Sequence, residues 1–136
     1  MNALDHLAAR LAEHPEIVFA HLFGSRGRGD ERPDSDWDVA VYLDPALSDP
    51  ERFKLRCRLA AELDDLGEVD VVVLNDAPPL LAHRALMGRR ILVRDLVSLV
   101  RYQVRTIARS EDERYWRELH WRALRQRIEE GRFGRS

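Results

Sequence analysis

Residues 24–43 read GSRGRGDERPDSDWDVAVYL, and two features of this stretch decide how the chain folds around it. Gly24-Ser25 stands ten residues ahead of a paired-aspartate element, Asp36-x-Asp38. Small residues at a strand end let backbone N–H groups and a hydroxyl approach phosphate oxygens without a Cβ in the way. Strand side chains repeat every two residues, so Asp36 and Asp38 project from one face and offer two hard oxygen ligands to a single cation. Together they suit nucleotide chemistry, in which a triphosphate needs oriented donors and a divalent ion. The alternation of Val39, Val41 and Leu43 with Asp38, Ala40 and Tyr42 predicts a strand over 37–43.

Outward from this stretch the pattern is mixed helix and strand. EIVFAHLF, residues 16–23, is apolar and rich in strand formers, and it leads into a glycine loop expected to run from Gly24 to Ser35. Before it, Leu4, Leu7, Ala8 and Leu11 have helical spacing and His14-Pro15 ends the helix. After it, Asp49-Pro50-Glu51 starts a helix that Gly67 stops, with Asp49 as the capping side chain. VDVVVL, residues 69–74, reads as a deeply buried strand interrupted only by Asp70. Residues 79–87 form a helix ended by Gly88, and 91–93 a short fourth strand. A helix over 95–109 is followed by a capping box, Ser110 to Glu113, that starts a separate last helix reaching about residue 130.

At 136 residues the chain fits one domain, with a core over about 16–95 and C-terminal helices over about 95–130. Cys57 is the only cysteine, so no intrachain disulfide forms, and the five histidines lack zinc-ligand spacing. No apolar run has transmembrane length and no leader pattern opens the chain, so no membrane association and a cytoplasmic location are expected. Residues 1–98 carry 12 basic and 18 acidic side chains, whereas 99–136 carry 10 and 6. The basic tail interleaves arginine with glutamate, as on a solvated helix, so direct nucleic-acid binding is not expected.

Asp70 adds a third carboxylate. Among apolar neighbours an unpaired carboxylate costs several kcal/mol, so this side chain needs a metal or a partner. If its strand lies beside 37–43, it completes a triad with Asp36 and Asp38 on the face that the glycine loop overhangs. An oxygen-only site of this kind, completed by substrate phosphates, suits magnesium, with manganese as substitute. Arg26 stands where it can meet a triphosphate or leaving pyrophosphate, and is equally well placed as a solvated loop charge. Two rival motifs fail. A calcium loop starting at Asp34 has Val39 where glycine belongs and Pro45 where glutamate belongs, and a P-loop starting at Gly24 has Asp30 in place of lysine.

The GS-x10-D-x-D pattern with a later strand aspartate resembles the nucleotidyltransferase superfamily related to polymerase beta. GSRGRGDERPDSDWDVAVYL together with VDVVVLNDAPPLLAHRALMGRRIL resembles, more narrowly, the minimal nucleotidyltransferases that act as antitoxins in HEPN/MNT pairs. The resemblance covers about residues 16–95. It implies an α/β (α+β) fold with a small mixed sheet, helices mainly on one face, and C-terminal helices. It implies Gly24 and Ser25 at the nucleotide phosphates, where Arg26 is a further candidate, Asp36 and Asp38 as magnesium ligands, and Asp70 as third ligand or base. The implied reaction is AMP transfer from ATP to a tyrosine of a partner HEPN ribonuclease toxin, in a hetero-oligomeric complex. Transfer to a small hydroxyl compound such as an aminoglycoside, or masking of the toxin without catalysis, stand as alternatives.

Other side chains are weighed for the same site. Trp37 should point away from the aspartates into the core, whereas Tyr42 shares their face. Cys57 is expected to fill space in an amphipathic helix, and His83 to be non-catalytic. Asn75 and Asp76 follow a strand's carboxyl end, where open sheets bind ligands and where loop caps also occur. In the last helix Trp116, Leu119 and Ala123 form one stripe, and Trp121, Leu124 and Ile128 a second; with Phe133, the second is expected to serve a partner or self-association interface, a helix embedded in its own domain being the equal alternative.

Overall fold

The computed structural model describes residues 2–29 and 36–129, apart from the side chains of Arg28, Glu113, Tyr115, Trp116, Leu119, Arg127 and Glu129. The element order is α1 (Ala3–Ala12), β1 (Ile17–Phe23), α2 (Gly24–Arg28), β2 (Trp37–Leu43), α3 (Asp49–Glu62), β3 (Val69–Val73), α4 (Pro79–Leu86), β4 (Arg89–Val93) and α5 (Leu96–Glu129). The four strands form one mixed sheet in the order β3-β2-β1-β4. β1 is antiparallel to both β2 and β4, and β2 is parallel to β3, with α3 making the crossover that a parallel pair requires.

The period-two pattern of β2 sorts the sheet into two faces. Trp37, Val39, Val41 and Leu43 are buried against α1 and α3, where Leu7, Leu11, Leu55, Leu59 and Leu63 complete a core. On the other face Ala40 and Tyr42 join Phe19, Leu74, Ala82, Ala85, Leu99 and Tyr102 in a second core beneath α4 and α5. The mixed sheet is as expected, with one refinement: helices cover both faces. Where β2 and β3 begin, the aspartate face is open: Asp38 is half-buried and Asp70 exposed.

Both capped helices start on boxes legible as local chemistry. Asn2 accepts from Asp5 N–H at the head of α1, and Ser48 does the same with Glu51 at the head of α3. The cap of α3 is therefore Ser48, with Asp49 as its first helical residue. The expected break at Ser110 is absent. Ser110 is buried and its hydroxyl donates to Pro79 O at the head of α4 (3.3 Å), so its side chain ties α5 to α4 and the helix runs on. Leu99, Tyr102, Thr106 and Ser110 make the stripe by which α5 packs, and Tyr102 OH donates to Leu74 O at 2.6 Å. Beyond Ser110 no described side chain is buried; Leu124 is half-buried, and Trp121 and Ile128 are exposed. The first expected stripe, Trp116 and Leu119, and Phe133 of the second lie outside the described side chains.

Candidate active site

The site is assembled at the end of the sheet where β1 finishes and β2 and β3 begin. Asp38 and Asp70 are register partners across the parallel β2–β3 pair, so their side chains stand on the same face one strand spacing apart. Asp36, exposed, lies just ahead of β2 and close enough to act on Asp38 electrostatically. Burial, reinforced by the negative charges of Asp70 and Asp36, pushes the Asp38 carboxyl above the usual carboxylate range.

The burial falls on a different aspartate from the one expected. β3 is an edge strand, and Asp70 is exposed, so no desolvation penalty obliges it to find a partner. An all-apolar run reads the same in an edge strand covered by helices as in a central one, which is why the sequence misleads here. The adjacency of the two strands, on which the triad depended, holds.

Gly24 begins α2 with φ +70°, directly against Asp38. A Cβ built there would overlap the Asp38 carboxylate oxygen and lie 3.2 Å from its Cγ. Only glycine leaves this conformation unstrained and this carboxylate in place. Ser25 follows in the first turn of α2, half-buried beside the same site. The stretch 24–28 is thus a short helix where a loop was expected; residues 30–35 of that loop lie outside the described residues. Gly27 is needed for another reason, since a Cβ on it would strike the Leu22 carbonyl.

Arg26 meets an aromatic ring. Its guanidinium lies 4.0 Å over the Trp37 ring, at the edge of the α1/α3 core. Trp37 itself is buried on the face opposite the aspartates, as expected, and its Nε1 donates to Leu66 O (3.1 Å). Tyr42 shares the aspartate face but is committed to the second core, stacked on Phe19 at 4.9 Å between ring centroids. Asn75 caps the far end of β2, pairing with both Leu43 N (2.8 Å) and Leu43 O (2.9 Å), and Asp76 pairs with Arg52 (2.8 Å). Neither reaches the carboxylates, which sit at the opposite end of β2 and β3. Cys57 is exposed and fills no core space. His21, which sequence reasoning passed over, is fully buried on the aspartate face with neither ring nitrogen hydrogen-bonded. Burial, with a smaller contribution from Arg90, lowers its pKa to about 4.

Alongside Asp70 a cavity of about 610 Å³ opens between α3, the outer edge of β3 and the start of α4. Its walls include Phe53 and Arg56 from α3 and Leu81 from α4. No sequence signal pointed to it, because Phe53 is a lone aromatic on an amphipathic helix. The carboxylates form an all-oxygen donor set, which suits a hard cation completed by phosphate oxygens. Among the described residues no three such side chains are already gathered around one point. Convergence on an ion therefore requires side-chain rotation, for which exposed Asp36 and Asp70 have room.

Residues 5–96 match the family model described as polymerase beta nucleotidyltransferase. The chain belongs to the polymerase beta nucleotidyltransferase family. Its similarity to protein adenylyltransferase MntA of Shewanella oneidensis is 34% identity over 70 residues, 52% of this chain and 49% of that protein. This nucleotidyltransferase thus spans about half the length of the curated relative it matches. Among solved structures it resembles a toxin–antitoxin crystallised with AMP-PNP, at 23% identity, TM-score 0.68, 91% of this chain and 98% of that one. It also resembles a chain in the complex of a tri-AMPylated Shewanella oneidensis HEPN toxin with MNT antitoxin, at 20% identity, TM-score 0.64, 89% and 98%. These likenesses show that the nucleotidyltransferase shares its fold with those chains. No helix of its described residues is long and apolar enough to cross a membrane.

Proposed function

We propose that this nucleotidyltransferase is an antitoxin that transfers AMP from ATP to a tyrosine hydroxyl of a partner HEPN ribonuclease toxin and thereby silences it. The observation that carries the reading is the pairing of Asp38 with Asp70 in register, with Gly24 seated against the Asp38 carboxylate. The names of its relatives, an adenylyltransferase and an antitoxin bound to an AMPylated toxin, support the choice of acceptor.

In this reading Gly24 and Ser25 hold the nucleotide phosphates by backbone N–H groups and the serine hydroxyl. Arg26 is assigned to the same phosphates, and to meet them its guanidinium leaves the Trp37 ring. Asp36 and Asp38, with Asp70, would hold magnesium, or manganese in its place, which supplies charge neutralisation for the triphosphate. The acceptor oxygen attacks the α-phosphorus in line; a new P–O bond forms as the bond to the bridging oxygen breaks, and pyrophosphate leaves. The hydroxyl proton passes to Asp70, the most exposed carboxylate of the β2–β3 pair.

The test is transfer from ATP labelled at the α-phosphate, with magnesium and a HEPN toxin encoded beside this chain. Covalent label on the toxin is expected, abolished by chelation of the metal and by Asp36→Asn or Asp38→Asn while toxin binding persists. Toxin neutralisation that survives both substitutions would replace catalysis with masking.

A further inference from the structure

The cavity beside Asp70 lies on the opposite side of the carboxylates from the nucleotide-binding residues. In the strand order β3-β2-β1-β4 the Gly24–Arg28 turn follows β1, whereas the cavity runs along the outer edge of β3. A transferase needs two substrates on two sides of its carboxylates, and this edge is where the second one has space. The cavity is lined from Asp70 to Val73, a run of about 10 Å at the usual strand rise. That is longer than one side chain needs and matches about three residues of extended chain.

Its walls also say what kind of chain fits. Phe53 is 62% exposed and takes no part in the core stripe of α3, Leu55 and Leu59; its ring is left to face the groove. Leu81 of α4 lines the same cavity. The acids of the far end, Asp49 and Asp76, are both engaged by Arg52, and Arg56 donates to Val71 O of the strand edge at 3.0 Å. The result is a trough walled by Phe53, Val71, Val73, Pro78 and Leu81, with Arg56 as its one lining arginine and two of its three aspartates paired to Arg52; apolar walls of this extent suit the side chains of a polypeptide.

We propose that this trough seats an extended segment of the protein acceptor, with the acceptor tyrosine hydroxyl at Asp70 and an apolar side chain about three residues away against Phe53. The proposal rests on the transferase reading above. Phe53 is then an acceptor-binding residue that touches neither nucleotide nor metal.

Steady-state AMP transfer to the HEPN toxin, varied separately against toxin and against ATP, tests it. Phe53→Asp should raise the KM for toxin by roughly tenfold or more, leaving kcat and the KM for ATP within about twofold, and Phe53→Leu should restore most of the loss. A toxin KM unchanged in Phe53→Asp, with wild-type transfer intact, would overturn the acceptor trough alone. A rise shared equally by the KM for ATP would also overturn it, because the effect would then be global. Wild-type protein that transfers no AMP would overturn the transferase reading and the trough together, a result separable from the others.

Discussion

Replacing Gly24 by alanine separates two demands that the structure places on one position. The first is backbone conformation: φ of +70° costs an L-residue about 1–2 kcal/mol. For a chain of this length that lowers the melting temperature by about 3–8 °C. The second is space, because the new Cβ would overlap the Asp38 carboxylate and force it off its present position. A shift of about 1 Å at a reacting centre costs on the order of 100-fold in rate, near 2.7 kcal/mol of transition-state stabilisation. Gly29→Ala is the matched control. Its φ is +81°, yet no described atom lies within 4 Å of the added Cβ, so it bears the backbone cost alone. Thermal unfolding of both variants should show similar losses, while labelled-AMP transfer should collapse only in Gly24→Ala. Equal transfer rates for the two variants would refute the claim that Gly24 exists to make room for Asp38.

His21 predicts a pH-dependent stability. Its folded-state pKa is depressed to about 4, so between pH 6.5 and 4 the unfolded chain binds the extra proton. The stability contributed by the neutral buried ring is complete above pH 6.5 and falls with pH by about 3 kcal/mol; urea titrations at pH 7 and pH 4 should show this loss in wild type and not in His21→Leu. Tyr102→Phe removes the buried donor to Leu74 O and should cost about 1–2 kcal/mol by denaturant midpoint, with unchanged stability counting against a role for this bond in fastening α5. Trp121→Glu, at a residue 58% exposed, should leave the melting temperature within about 2 °C and weaken association in size-exclusion and pull-down with the toxin; unchanged association would exclude this face of α5 from the interface.

The parts of this molecule legible in advance were those governed by short-range rules. β2 was readable because its alternation of apolar and polar residues commits one side to a core, and the Asp36-x-Asp38 spacing then fixed which side carried the carboxylates. The partnership of Asp38 with Asp70 was readable only as a condition, because strand adjacency is a long-range property. Burial was misassigned between those two aspartates since strand order, and with it the edge position of β3, leaves no mark on local sequence. The division of the C-terminal region into two helices failed for a related reason. Ser110 has the chemistry of a helix cap, but Pro79, thirty-one residues earlier, supplies an acceptor that keeps its hydroxyl inside a continuous helix. Arg26 and Cys57 show the same limit, since exposure and stacking partners are set by packing that spacing does not encode.

The unbroken run of α5 has a mechanical consequence. Its 34 residues measure about 51 Å, and the 19 beyond Ser110 account for about 28 Å of that length. Those 19 residues bury no described side chain, so they act as a spar anchored at one end by the Ser110–Pro79 tie. On the function proposed above, a toxin that grips the spar would be held at a distance from Asp70 counted in helical turns. Residue number would then become a ruler that selects which hydroxyl meets the phosphate. Lengthening the spar by one turn would move the gripped surface by about 5.4 Å, enough to present a different side chain while leaving every atom of the catalytic face untouched.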